Sequence, residues 1–308
     1  MIQQSANAVV MIRPRHFYPN PETAADNAFQ REVAPANTDA ICKAAQEEFD
    51  RAASQLRGVG VRVHVFDDTP SPEKPDAVFP NNWFSTHEDG RIAVYPMYSA
   101  ARRSERRRDI LDQLRTDYRV TDVVDYSASE GEGRYLEGTG SVVLDHLNRL
   151  AYASLSQRTH PELLKQFCRD FGYEAVTFRS TTKDNRPVYH TNVMMCLGSQ
   201  FVLIGLETIA DREERRAVQR RLEASGRVII ELTYDQVANF AGNAIELQGE
   251  KGRLLVMSTR GASALSGEQR AKINPFAEIV ALSLPTIELA GGSARCMLAA
   301  IHLSELKK

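Results

Sequence analysis

The sequence has no apolar run long enough to cross a bilayer, and Met1 to Val10 lacks the charged start and long apolar centre of a secretion signal. Both absences point to a cytoplasmic protein. Cysteine is sparse: Cys42, Cys168, Cys196 and Cys296 are scattered, with no CxxC pair and no tight Cys/His spacing. Neither a disulfide framework nor a structural metal site is indicated, and nothing calls for a cofactor. Charge of one sign is lacking too. The 38 basic and 40 acidic side chains leave a net charge of −2, which provides no general field for nucleic acid or an anionic membrane. The one basic cluster, Arg102 and Arg103 followed by Arg106 to Arg108, is interleaved with Glu105 and Asp109 and reads as a solvated helix face.

What is present is an ordinary globular chain of 308 residues, 43% hydrophobic, enough for a sizeable core. A short apolar strand, AVVMIRP, leads into a polar loop from His16 to Ala36, long for a compact domain and a candidate lid. Asn37 or Thr38 then caps a helix with Ile41, Ala45, Phe49, Ala52 and Leu56 on one face. From there a unit recurs: a β-branched strand, a turn of small polar residues, two apolar strands forming a hairpin, and a helix. The helices begin near Ser104, at a capping box of Thr159 and Glu162, at Asp211 with Glu214, and at Ser266. The last strand, EIVALSL, runs into GGSARCMLAAIHL, which completes a unit only by joining the N-terminal strand and its helix. The turns LEGTG, YHTN, AGNA and GGSA follow one another at a period of roughly fifty residues, with PNNW a little further back, as in a closed radial array. The expected fold is therefore α/β: a single domain over residues 1–308, built as a five-bladed pseudo-symmetric α/β propeller whose equivalent turns converge on the axis.

Those turns carry the groups that matter: Asn81 and Asn82, with His87 a little further on; Glu137; His190 and Asn192; Asn243; Cys296. A thiolate, an imidazole and a carboxylate suffice to attack an unreactive carbon and protonate a departing amine. Taken singly each has a plainer reading. Cys296 beside Met297 and Leu298 suits a core, Glu137 suits an exposed turn, His190 suits a hydrogen-bonded core histidine, and Asn81 and Asn82 suit turns. Cys196, inside the strand VMMCL, reads as packing. The set is what points to chemistry.

The combination FPNNWFSTH, LEGTG, YHTN and GGSARCM resembles the guanidino-group-modifying superfamily of arginine deiminases, dimethylarginine dimethylaminohydrolases and amidinotransferases, whose fold is the five-bladed propeller called a pentein. The resemblance covers nearly the whole chain. The early loop and the PNNWFSTH block look most like the branch termed citrulline utilization hydrolase. It implies Cys296 as nucleophile, His190 as general acid and base, and Glu137 as the carboxylate partner, with Asn82, His87 and Asn192 at the substrate. Arginine deiminases carry acids where this chain has His87 and Asn192. Without those counter-charges a buried guanidinium is strongly disfavoured, whereas a neutral ureido group finds both donors and acceptors in an amide and an imidazole.

The expected function is cysteine-dependent cleavage of the ureido C–N bond of citrulline to ornithine, ammonia and carbon dioxide, with a small amino acid as the only partner and a homo-oligomer compatible with the sequence. Two alternatives stand beside it: a deiminase or amidinotransferase acting on arginine or a derivative, and a non-catalytic propeller that serves as a binding module.

Overall fold

A computed structural model describes residues 3–31 and 38–306. In chain order the strands are β1 (Ala8–Arg13), β2 (Arg62–Asp67), β3 (Phe84–Thr86), β4 (Arg91–Val94), β5 (Asp122–Asp125), β6 (Val143–Asp145), β7 (Leu150–Ser154), β8 (Glu174–Phe178), β9 (Met195–Leu197), β10 (Phe201–Ile204), β11 (Val228–Glu231), β12 (Ile245–Gln248), β13 (Arg253–Ser258), β14 (Glu278–Leu282) and β15 (Ala299–Ala300). They form five three-stranded sheets: β15-β1-β2, β3-β4-β5, β6-β7-β8, β9-β10-β11 and β12-β13-β14. In each sheet a short inner strand pairs antiparallel with the middle strand, and the middle strand pairs parallel with an outer one reached through a helical crossover.

Burial explains the order. The middle strands are apolar on both faces: every residue of β7 and β10 is buried, and only Arg13 of β1 reaches partial exposure. Such strands must be covered on both sides, which the neighbouring blades and helices provide. The outer strands carry charges such as Asp122, Asp125 and Glu231, which keep the sheet edges from pairing with other chains. Closure is as the sequence leads one to expect, with β15 laid against β1 through Val10 and Ala299. The phase of the repeat differs. The strand opening each sequence unit, VRVHVF for instance, is the outer strand of the preceding blade, because a parallel crossover returns it to the sheet it left.

Local chemistry sets the helix ends. Asp211 accepts from the backbone N–H of Glu213 and Glu214 at 2.9 Å each, a cap worth about 1 kcal/mol. Ser266 and Gln269 form the reciprocal capping box of the helix Gly267–Ile273. The expected box at Thr159 is absent. Thr159 is drawn into β-bridges with Leu136 and Ser156, and His160 caps the helix Pro161–Phe171 in its place. The helix expected near Ser104 runs Arg108–Asp117 after a 3-10 turn over Ala101–Glu105. Thr38 begins the first long helix, and Asn37 lies outside the described residues. Among the described residues no helix is long and apolar enough to cross a membrane.

Each inner strand is entered by a tight turn at the axis: Pro80–Asn82 before β3, Gly138–Ser141 before β6, Thr191–Met194 before β9, the turn at Asn243 before β12, and the turn ending at Cys296 before β15. This repeated placement carries chemistry from five blades to one point.

Candidate active site

Cys296, His190 and Asn82 line one cavity of about 10 Å³, together with Asp76, Arg102, Arg158, Tyr189 and, from the early loop, Thr23 and Asn27. Glu137 stands directly behind His190. Its Oε2 lies 2.8 Å from His190 Nε2, and its Oε1 accepts from the backbone N–H of Tyr98 at 2.9 Å. The sequence places these residues 53 positions apart, yet the equivalence of their turns makes them partners. Gly140 is what allows the approach: a Cβ there would sit 2.8 Å from His190 Nδ1 and collide with Asn82 Nδ2.

Electrostatics assign the charges. Burial opposes ionisation of Glu137, but Arg158, the His190 hydrogen bond and Arg102 outweigh it and hold the carboxyl well below the usual carboxylate range. Burial pulls His190 below its ordinary value, against the hydrogen bond and charge of Glu137, which pull it up. The resting site is thus a carboxylate paired with a neutral imidazole, and the carboxylate is positioned to stabilise an imidazolium once His190 takes a proton.

The sulfur has amide neighbours. Asn192 Nδ2 donates to Cys296 Sγ at 3.4 Å and Asn243 Nδ2 at 3.3 Å, while Asn243 Oδ1 accepts from the backbone N–H of Arg295 at 3.0 Å. Among the described residues no hydrogen bond joins His190 to the sulfur; the two groups meet across the cavity. Several amide atoms at the axis are buried without a partner: Asn192 Oδ1, Asn82 Nδ2 and both polar atoms of Asn81. Each costs on the order of 1–3 kcal/mol in that condition, which marks them as groups waiting for a ligand.

His87 is a correction. It does not line this cavity: β3 carries it to the far end of the inner strand, where its ring packs 4.1 Å from that of Phe171 and its Nε2 lies 2.8 Å from the Ser85 hydroxyl. Burial pushes its pKa down to about 3, as expected for a neutral core imidazole. The charge-matching contrast with deiminases therefore rests on Asn192 and not on His87. Cys196 is buried in β9 with its thiol pushed up to about 12, a packing residue.

Other residues of the site are not evident from sequence. Arg102, expected on a solvated face, is 3% exposed: it forks onto Glu105 with two bonds of 2.9 Å and donates to Asn82 Oδ1 at 3.0 Å. Arg158 grips Asp26 of the early loop through bonds of 2.7 and 2.6 Å and reaches Glu137 at 3.5 Å. Asp76 accepts from Asn20 Nδ2 at 2.8 Å and lies 3.7 Å from Arg102. The described part of the candidate lid, His16 to Arg31, thus supplies Thr23 and Asn27 to the cavity wall and clasps Arg158 through Asp26, while residues 32–36 lie outside the described residues. The only sequence signal was proximity: Asp76 precedes PNNW by four residues, and Arg158 immediately precedes a buried threonine.

Solved structures share this fold. The N-terminal domain of ArgZ, an arginine dihydrolase from the ornithine-ammonia cycle in cyanobacteria, solved with bound substrate, superposes with a TM-score of 0.73 at 17% identity over 96% of this chain and 97% of that one. AgrE in ternary complex with ornithine and NAD+ gives 0.75 at 16% identity over 97% of this chain and 39% of its own. A dimethylarginine dimethylaminohydrolase adduct with S-methyl-L-thiocitrulline gives 0.64 at 14% over 98% and 100%. At these identities the likeness carries the fold, the pentein propeller. No curated relative matches the chain. The sequence profile described as "N,N dimethylarginine dimethylhydrolase, eukaryotic" matches residues 13–303, and the chain accordingly belongs to that family of the guanidino-group-modifying superfamily, hydrolases of carbon–nitrogen bonds.

Proposed function

We propose that the chain hydrolyses the ureido C–N bond of citrulline, with Cys296 as nucleophile, His190 as proton carrier and Glu137 as the residue that orients and charges His190. The carrying observation is that the side chains in contact with Cys296 Sγ are the amides Asn192 and Asn243, with Asn192 Oδ1 and Asn82 Nδ2 left over as one acceptor and one donor. A ureido group needs that complement for its N–H and C=O, and it brings no charge to be neutralised.

His190 takes the thiol proton, and the thiolate attacks the ureido carbon. The C–N bond to the side-chain nitrogen breaks as that nitrogen takes the proton from His190, leaving ornithine and a carbamoyl thioester on Cys296. His190 then removes a proton from water. The hydroxide attacks the thioester carbon, the sulfur leaves and is reprotonated, and the released carbamate decomposes to ammonia and carbon dioxide.

The amino-acid end of the substrate finds a carboxylate in Asp76 for its ammonium and a guanidinium in Arg158 for its carboxylate. In the closed state Asp26 occupies Arg158, and a cavity of about 10 Å³ holds roughly one water. Substrate entry therefore requires the early loop to withdraw Asp26, and the substrate carboxylate then replaces it.

Asp76 also supports a second reading, an arginine-directed hydrolase, since a carboxylate in the cavity suits a guanidinium as well as an ammonium. Incubation with citrulline and with arginine, scored for ornithine, ammonia and citrulline, separates the two. Ornithine from citrulline at the higher kcat/KM is expected; turnover of arginine with citrulline left untouched would replace the ureido reading.

A further inference from the structure

Arg295 and Cys296 are neighbours in the chain, but they serve opposite ends of the axis. Cys296 lines the cavity shared with His190, and Arg295 lines a second one of about 60 Å³ behind it, room for about four waters. His302, His146, Gln4 and Glu246 share its wall. The Arg295 guanidinium donates from Nη1 to the Leu298 carbonyl at 2.7 Å, and among the described residues no carboxylate oxygen comes within 4.0 Å of it. Burial lowers its pKa, opposed only by the thiols of Cys296 and Cys196.

The two imidazoles lie with ring centroids 4.2 Å apart, tilted at 42° to each other. His146 Nδ1 is engaged by the Tyr173 hydroxyl at 2.8 Å, whereas the ring nitrogens of His302 have no side-chain partner among the described residues. Burial, reinforced by the charge of Arg295, pushes His302 down to about 4, so its ring is neutral and carries one N–H. Glu246 is committed elsewhere. Its Oε1 takes the Ser5 and Ser199 hydroxyls and the Ser199 backbone N–H, and its unpartnered Oε2 lies against Gly198. Arg295, His146 and His302 are partly exposed to this cavity, and a guanidinium there with no carboxylate beside it attracts an anion from solution.

We infer that this back cavity binds a small singly charged anion, a halide or an oxyanion of bicarbonate size, held between the Arg295 guanidinium and the ring N–H of His302. The charge of Arg295 acts on the neighbouring Cys296 thiol, so an anion bound to that guanidinium weakens the positive field at the sulfur and slows thiolate chemistry. This coupling rests on the reading of Cys296 as the nucleophile; the site itself does not.

Crystals soaked in sodium bromide test the site through anomalous scattering. The expected result is a peak in hydrogen-bond contact with Arg295 that disappears in Arg295→Met and in His302→Phe, the second variant keeping the guanidinium should the first fail to fold. Water density alone at that position, or a peak undiminished in both variants, would overturn the site. The coupling is read from alkylation of Cys296 by iodoacetamide at constant pH and ionic strength, with bromide exchanged for gluconate, which is too large to enter. Bromide should slow the wild-type reaction about threefold or more and leave His302→Phe unaffected. Equal rates in the two salts would remove the coupling and leave the site standing, and a Cys296→Ala protein with full activity would remove the nucleophile reading alone.

Discussion

The two ends of the propeller axis treat guanidinium charge in opposite ways. At the front, Arg102 is matched by Glu105 and Asp76, and Arg158 by Asp26 and Glu137, so every guanidinium has its carboxylate and the unsatisfied groups are neutral amides. At the back, Arg295 has two neutral imidazoles and a backbone carbonyl. The difference teaches that the front meets its guanidinia with carboxylates before substrate arrives and leaves amides to bind a ligand, while at the back Arg295 has no carboxylate oxygen within 4.0 Å among the described residues.

The harshest way to break this comparison is to remove the sulfur. Cys296→Ala should lower turnover by about 10⁴-fold or more while leaving the melting temperature within a few degrees, because the side chain loses one atom in a packed turn. Steady-state ornithine release and thermal unfolding check both halves. Next in size is Glu137→Gln, which keeps the shape but takes a carboxylate from both guanidinia and from His190. Activity should fall roughly 10²-fold or more as the imidazolium loses its partner, and stability by about 3–5 kcal/mol as Arg158 and Arg102 lose a counter-charge. Denaturant unfolding together with kcat measures it, and an active, equally stable variant would mean that Glu137 does not hold these charges as described.

Asn192→Asp sharpens the selectivity side. It adds a negative charge beside the sulfur, so the ratio of kcat/KM for arginine over citrulline should rise about tenfold or more. An unchanged ratio would show that the amide does not discriminate. The smallest effect belongs to His87, in neither cavity. The folded protein keeps it neutral down to about 3, while an unfolded chain protonates it at its ordinary 6.5, so acid favours unfolding progressively below 6.5. His87→Leu should therefore recover stability on acidification, on the order of 2 kcal/mol by about pH 5, with activity unaltered, as read from unfolding midpoints across pH.

The propeller and the trio of residues 137, 190 and 296 were legible because small residues, strand periodicity and helix caps recur at each blade, and equivalence of turns is a statement about topology. Distances along the chain do not blur it. What the chain concealed were contacts with no repeat behind them. Arg102 lies in a run of arginines whose interleaved acids suggest solvent, and only the fold shows that Glu105 turns inward with it. The clasp of Arg158 on Asp26 joins residues 132 positions apart through an irregular loop. His87 misled because it stands in a motif otherwise devoted to the axis, while β3 moves it away from the mouth.

The central claim is that Cys296 bonds to the ureido carbon, and the most direct test is acid quenching of the enzyme during turnover of citrulline, followed by peptide mass spectrometry. A carbamoyl group on the Cys296 peptide, absent when citrulline is omitted, is the predicted result. Steady ornithine release with Cys296 unmodified and the adduct absent or on another residue would contradict it.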